Sequence, residues 1–328
     1  MRRRIPKHER GAALLAVLLL VAVTGAIAVV AMEKLRLSRA VAMNVVAVDQ
    51  ARAYARGVEQ LGLLTIDDLI ASNPERTTAA GGWMTGARRI PLPGGGLAEA
   101  RVRDGGNCYN LNSLVDGDPR TTLVRRNSGV LQFVGLMLAL NIPEAEARRI
   151  AEAGADWADS DSETGPSGAE DAAHAGGPNP YRAANTLFTE IGETRLLAGM
   201  TPEIFASLRP WLCVLPVAEL SPLNVNTLTP EQAPLLAMLA PGQIDLRRAQ
   251  RVIEARPAAG WSNMIDFWRT ERLSELAVPL DTQLQPQVRT RWFRLELNVS
   301  VLDSEFSEIA LVDSRIQPSR LAVRRWGE

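Results

Sequence analysis

Residues 12–32 carry no charged side chain, and only Thr24 and Gly25 interrupt the apolar run. At ~1.5 Å rise per residue, a helix of this length crosses a hydrocarbon core ~30 Å thick. The preceding residues 2–10 read RRRIPKHER, with Arg2, Arg3, Arg4, Lys7 and Arg10 against the single acid Glu9. Positive charge ahead of an apolar span keeps that end in the cytoplasm. A secretory signal peptide would have a shorter apolar core and a small-residue cleavage site beyond it. Here the run continues into MEKLRLSRAVAMNVVAVDQARAYAR, with apolar residues at mixed three- and four-residue spacing, and no Gly follows Gly25 until Gly57. The pattern predicts one continuous helix from about residue 12 to about residue 69. Its first half lies in lipid and its second half packs on a water-soluble body.

Composition narrows what that body does. Lys and Arg total 36 against 37 Asp and Glu, so no global basic field draws the chain to nucleic acid. The two cysteines, Cys108 and Cys213, and two histidines, His8 and His174, are too few for a structural zinc cage once His8 is assigned to the leader. A histidine-centred catalytic triad would rest on His174 alone.

The soluble part reads as α+β. A turn-rich loop covers residues 72–96, and LAEARVRD (97–104) then alternates as a half-buried strand does. The other strand patterns lie late: RWFRLELNVSVLD (291–303), FSEIALVDSR (306–315) and LAVRRW (321–326). One strand early and several late, with helices between, imply a small antiparallel sheet interrupted by a large helical insertion.

That insertion repeats internally. Asn110-Leu111-Asn112-Ser113-Leu114 returns as Asn224-Val225-Asn226-Thr227-Leu228. An apolar helix follows each copy (LQFVGLMLALN, PEQAPLLAMLA), and then an Arg-bearing helix (PEAEARRIAEAGADW, DLRRAQRVIEARP). Asn with Ser or Thr suits side-chain-to-backbone bonds that start helices, so the motif is expected to cap and pin each unit. Paired helical hairpins also resemble helix-hairpin-helix modules, which gives an alternative: a membrane-anchored DNA binder of the DNA-uptake type. Against it, the turns ALNIPEA and APGQIDL lack the Gly-x-Gly that presents backbone amides to phosphate, and no basic stripe accompanies them.

Between the copies, Asp156, Asp159, Asp161, Glu163, Glu170 and Asp171 crowd a stretch that also holds Gly165, Pro166 and Gly168. Hard oxygen ligands on a turn-rich loop suit Ca²⁺. Asp159, Asp161, Glu163 and Glu170 fall at positions 1, 3, 5 and 12 of an EF-hand loop. Thr164 replaces that loop's glycine, so a true EF-hand is not expected. The bland alternative is a solvated acidic loop. A glycosidase carboxylate pair lacks any surrounding pocket signature.

The basic leader ending at Gly11, followed by the uninterrupted apolar helix, resembles type IV pilins and pseudopilins. In that family a membrane prepilin peptidase cuts after the glycine, which would make Ala12 the first mature residue. A plain signal anchor is the alternative. The family's glutamate at the fifth mature position is here Ala16. An unpaired carboxylate in lipid is costly, so its loss fits a subunit that starts or caps a filament. Taken with the repeated N-x-N insertion and the D-W-x-D-x-D…G-A-E-D stretch, the chain resembles the K-class minor pseudopilins of type II secretion (the general secretion pathway protein K family). The resemblance implies a non-catalytic subunit at the pseudopilus tip, anchored in the bacterial inner membrane with its bulk in the periplasm. The partners it implies are I- and J-class minor pseudopilins, the prepilin peptidase, the inner-membrane assembly platform and, as a further contact, the secreted substrate; nucleic acid is not among them. It also implies calcium in the helical domain, with Asp159, Asp161, Glu163, Glu170 and Asp171 as the ligand set.

A periplasmic body permits disulfides. A Cys108–Cys213 bridge would tie together the starts of the two repeats; two buried free thiols are the alternative. The expected organisation is a leader (1–11), a transmembrane half-helix (12–32), its periplasmic continuation (33–70), a pilin-like sheet (71–109 and 286–328) and the helical insertion (110–285).

Overall fold

The computed structural model of the protein describes residues 7–171, 175, 180–301 and 304–327. The first six leader residues, His174, Leu302 and Asp303 therefore lie outside the described residues. Helix α1 runs unbroken over Lys7–Ser72. At ~1.5 Å per residue it is about 100 Å long. Residues 12–46 are exposed all round, and burial begins only at Ala47. From there Ala47, Ala51, Ala55, Val58, Ile66 and Ile70 are buried, a stripe at three- and four-residue spacing. Its small residues let the helix approach closely. A Cβ built on Gly62 would come within 2.7 Å of Leu295 Cδ2.

The stripe packs on a five-stranded antiparallel sheet in the order β1-β2-β7-β8-β9. The strands are β1 (Arg88–Leu92), β2 (Gly96–Asp104), β7 (Trp292–Val301), β8 (Ser304–Asp313) and β9 (Arg320–Trp326). Alternation sends Leu295, Leu297, Val299, Val301 and Ala310 against Ala51, Ala55 and Val58. The strand β1 is a correction to the reading of residues 72–96 as loop. Pro91 and two arginines hide it in sequence, but it is an edge strand, where a missing N–H is tolerated.

The insertion leaves after β2 and returns at β7, which pair directly from Leu97 opposite Ser300 to Asp104 opposite Phe293. Phe293 packs with Ile66 and Ile70, near the last turn of α1. The helical body is therefore attached at the end of the sheet farthest from the apolar half of α1. It contains the short strands β3 (Tyr109–Asn110), β4 (Val115–Asp118), β5 (Thr122–Arg125) and β6 (Leu212–Cys213). Its helices are α2 (Asn127–Ala139), α3 (Glu144–Ala158), α4 (Pro202–Leu208), α5 (Ala233–Ala237), α6 (Leu246–Glu254), α7 (Met264–Arg269) and α8 (Leu280–Leu284). The helix following the second N-x-N motif is short: Pro230–Gln232 form a 3₁₀ turn and Pro234 sits at the start of α5.

Both N-x-N motifs work the same way. Asn110 Oδ1 accepts from the Asn112 N–H at 3.2 Å, and Asn224 Oδ1 from the Asn226 N–H at 3.0 Å. The second asparagine of each pair then grips a distant backbone as a neighbouring strand would. Asn112 donates to Phe188 O at 3.0 Å and accepts from Phe188 N–H at 2.7 Å. Asn226 donates to Trp261 O at 3.0 Å and accepts from Trp261 N–H at 2.7 Å. All four asparagines are buried. Truncating one strands buried backbone donors and acceptors, each worth ~1–3 kcal/mol. Asn112→Ala and Asn226→Ala are each expected to lower stability by about 3 kcal/mol, read from the urea midpoint. The exposed Arg148→Ala should move it by under ~0.5 kcal/mol; a similarly small loss for the asparagines refutes the pinning role.

Beneath the sheet, Arg324 clamps the buried Glu59 of α1 at 2.7 and 2.9 Å and also contacts Glu308 at 3.4 Å. Burial, then the facing Glu59 carboxylate, pushes Glu308 up from 4.5 to about 7. A raised carboxyl pKa contributes stability that is fully present below about 4.5 and is lost as pH rises through about 7. Glu308→Gln is expected to gain stability relative to the parent between pH ~5 and ~8. A constant difference across that interval, measured by thermal melts, refutes the assignment.

Candidate functional sites: the apolar half-helix and the acidic loop

The first site is the exposed half of α1. Gly11 and Ala12 lie within the helix, so the residues that resemble a prepilin cleavage point continue directly into the apolar run. Ala16 is exposed, and the first ionisable residue after it is Glu33. Helix Ala12–Ser72 is long and apolar enough to cross a membrane, and the qualifying window is wholly unburied by the rest of the chain. That is compatible with a single-pass anchor.

The second site begins where α3 ends. Asp156, in the last turn of α3, is buried, and its two carboxylate oxygens accept from Gly165 N–H at 3.2 and 3.0 Å. Gly168 must be glycine, because a Cβ there would sit 1.9 Å from Asp156 Oδ2. Asp156 thus folds the loop back over the helix end. Ser160 fixes the loop to β5: its N–H donates to Leu123 O and its hydroxyl oxygen accepts from Leu123 N–H, both at 2.9 Å. On the other side, Asn185 donates to Asp161 O at 3.1 Å.

This reversal brings together Asp159, Asp161 and Glu170, whose carboxylate oxygens lie within 4.8 Å of one another. Asp159 and Glu170 are buried and Asp161 is exposed. Asp159 Oδ1 and both Glu170 oxygens are buried without a hydrogen-bond partner. Burial, then the Asp161, Asp156 and Glu170 charges, pushes Asp159 up to about 7. Burial, then Asp156, raises Glu170 as well. Arg125, whose charge opposes the shift at Asp159, is itself held by Glu152 at 2.6 Å. Three converging carboxylates with orphaned buried acceptors and only oxygen donors fit a hard divalent cation such as Ca²⁺.

Two residues of the expected ligand set stand apart. Glu163 is exposed, and its N–H donates to Asp161 Oδ1 at 2.8 Å. Asp171 accepts from Ala183 N–H at 3.0 Å and lies 3.8 Å from Arg182. The organising role of Asp156 was not legible, because it depends on where the loop returns; only its place in the acidic crowd was visible.

Cys108 and Cys213 are bonded to each other, with Cα atoms 5.7 Å apart. The bond joins the ends of β3 and β6, which pair in parallel, Tyr109 opposite Leu212 and Asn110 opposite Cys213. Closing a 105-residue separation is worth about 4–5 kcal/mol in the chain-entropy account.

A membrane-length helix packed by its second half on an antiparallel sheet, with a helical body grafted between two paired strands, defines a pilin-like subunit. Two family models described as "Type II secretion system (T2SS), protein K" match residues 107–217 and 223–289. The type II secretion system protein K of Pectobacterium carotovorum subsp. carotovorum is 32% identical over 98% of this chain and 97% of its own. That of Aeromonas hydrophila is 32% identical over 84% and 83% respectively. Among solved structures, a chain of the GspK-GspI-GspJ complex from enterotoxigenic Escherichia coli superposes with a TM-score of 0.72 at 27% identity, covering 85% of this chain and 96% of that one. The chain belongs to the type II secretion system protein K family and is a minor pseudopilin, a structural component of that machine. The alternative of a helix-hairpin-helix DNA binder finds no support in these matches.

Proposed function

We propose that this minor pseudopilin is a non-enzymatic subunit at the tip of the pseudopilus, where it starts or caps assembly. The observation that carries this is the attachment point of the insertion. The bulk of the protein sits on the sheet end nearest the last turn of α1, away from the apolar half-helix. With that half-helix in the inner membrane and its basic end in the cytoplasm, the helical body stands outermost in the periplasm. A subunit placed above this one would have to accommodate that body. Ala16 supports the same position, since no carboxylate waits there for the terminal ammonium of a preceding subunit.

The partners follow from this reading. The matched E. coli chain was solved with GspI and GspJ, and the corresponding I- and J-class minor pseudopilins are the proposed neighbours of this one. Prepilin peptidase cuts between Gly11 and Ala12, the inner-membrane platform assembles the freed helices, and the exposed body can meet the secreted substrate. Co-expression with I- and J-class partners and extraction from membranes should yield a ternary complex, in which the intact mass of this chain begins at Ala12. An uncut chain that elutes without either partner overturns the proposal.

Calcium belongs to the same reading. Asp159, Asp161 and Glu170 are the residues that would hold it. A bound cation would offset their mutual repulsion and fix the end of α3 to the segment around Glu170. The parent protein should melt at a higher temperature in millimolar calcium than in chelator. The double variant Asp159→Asn, Glu170→Gln should melt at the same temperature in both. Equal melting of the parent in the two conditions rejects the site.

A further inference from the structure

On the sheet face opposite α1, where β7, β8 and β9 meet the helical body, lies a cleft of about 300 Å³. The outward-facing residues of the strands build its floor: Ile309 and Leu311 from β8 and Val323 from β9. Ile191, Leu212 and Val214 of the helical body form an apolar wall. Arg103, Arg294 and Arg325 line it as well, against Glu296 and the half-buried Asp104. Asp104 is already engaged, accepting from the hydroxyls of Thr227 and Thr290 and from Gly106 N–H.

Glu296 is therefore the one carboxylate in the lining left to these arginines. Arg294 Nε lies 3.0 Å from it, Arg103 Nε 3.7 Å, and Arg101 from the flank 4.0 Å. One carboxylate can take one guanidinium in the paired geometry that makes such contacts strong. Here it is shared by three, and most of their N–H donors are left to water. Arg103 and Arg294 are about half exposed, so a ligand can reach them. Arg325 donates to Thr189 O of the helical body and so holds the rim of the cleft in place.

We propose that this arginine-rimmed, apolar-floored cleft docks an acidic extended segment of a partner protein. One or two of the segment's carboxylates would take the surplus guanidinium donors, and an adjacent apolar side chain would cover Ile309, Leu311 and Val323. Charge complementarity selects that occupant: the three guanidinium groups of the lining outnumber its two carboxylates, Asp104 and Glu296, so the cleft is net positive, and a neutral apolar segment would leave the surplus donors unpaired. The inference rests on the cleft alone and is independent of the tip assignment, because its test is read on the isolated protein.

The probe is a fluorescein-labelled, end-blocked octapeptide of alternating glutamate and leucine. It is titrated by anisotropy into the full-length protein in neutral detergent, beside the same peptide with glutamine for glutamate. The acidic peptide should bind, and the glutamine peptide should bind at least about tenfold more weakly. Arg103→Ala with Arg294→Ala should weaken the acidic peptide about tenfold or more, while Arg251→Ala, on the distant α6, should leave it unchanged. Because the double variant removes two packed side chains, a second variant guards against misfolding. Glu296→Gln removes the internal competitor and should tighten binding severalfold. Equal binding of the two peptides overturns the proposal, as does indifference to the arginine pair or weaker binding by Glu296→Gln. Competition by inorganic phosphate as effective as by unlabelled peptide would show a general anion patch and would also overturn it.

Discussion

One helix has to satisfy two surroundings, and the rest of the molecule is arranged around that demand. Through residues 12–32 the helix is apolar all round, as a lipid-spanning segment would be. From Ala47 onward only one face is, because a water-soluble sheet covers just one side. The change is made without a break in the backbone, so the orientation of the sheet follows the orientation of the apolar segment. Ala47, Ala51, Ala55 and Gly62 carry the second task through their small size. Leucines at those positions would keep the membrane pattern but hold the sheet away. Among the described residues, Glu59 with Arg324 and Glu308 form a buried ion cluster at this interface that gives little net stability, since desolvation opposes its attraction. What it does is restrict which side chains of α1 can lie over β8 and β9.

The sequence showed this division because each half has a distinct period. Charge-free residues without periodicity signal lipid, and a three-to-four repeat signals one-sided burial. Strands β2, β7, β8 and β9 were legible for a similar reason, as clean alternation. Strand β1 was not, because Arg88, Arg89 and Pro91 read as a loop until an edge position explains them. Nor could β3 and β6 be read. A two-residue parallel pair has no period, and it exists because chain segments a hundred residues apart are brought side by side. In the N-x-N motifs the local half was visible: each first asparagine caps its own turn. Their partners at Phe188 and Trp261 were not, since nothing about an asparagine names the distant backbone segment it will pair with.

The acidic loop shows a different limit. Composition placed six acids in one stretch, but the three that converge are chosen by the path of the backbone. Asp156, from inside α3, turns the chain at Gly165 and admits it past Gly168. Asp159 and Glu170, eleven residues apart, become neighbours, whereas Glu163 and Asp171, closer in sequence to their respective partners, do not join them. Linear spacing on an EF-hand template assigned Glu163 a place. Glu163 instead faces water and gives its N–H to Asp161 Oδ1.

Two strands alone would make a flexible tether for a body as large as the insertion. The buried polar network at the junction prevents this. Asn224, in the second repeat, donates to Thr77 O just beyond α1 and to the Thr290 hydroxyl just before β7. Asn107, at the exit from β2, donates to Thr227 and accepts from Asn224 N–H. Asp104 closes the circuit; burial raises its pKa, and the hydroxyl and amide donors around it offset part of that rise. Each of these groups would be costly to leave unmade, so hinging of the body on the sheet requires breaking several at once. Displacement of α1 is therefore transmitted to the helical body rather than absorbed at the junction.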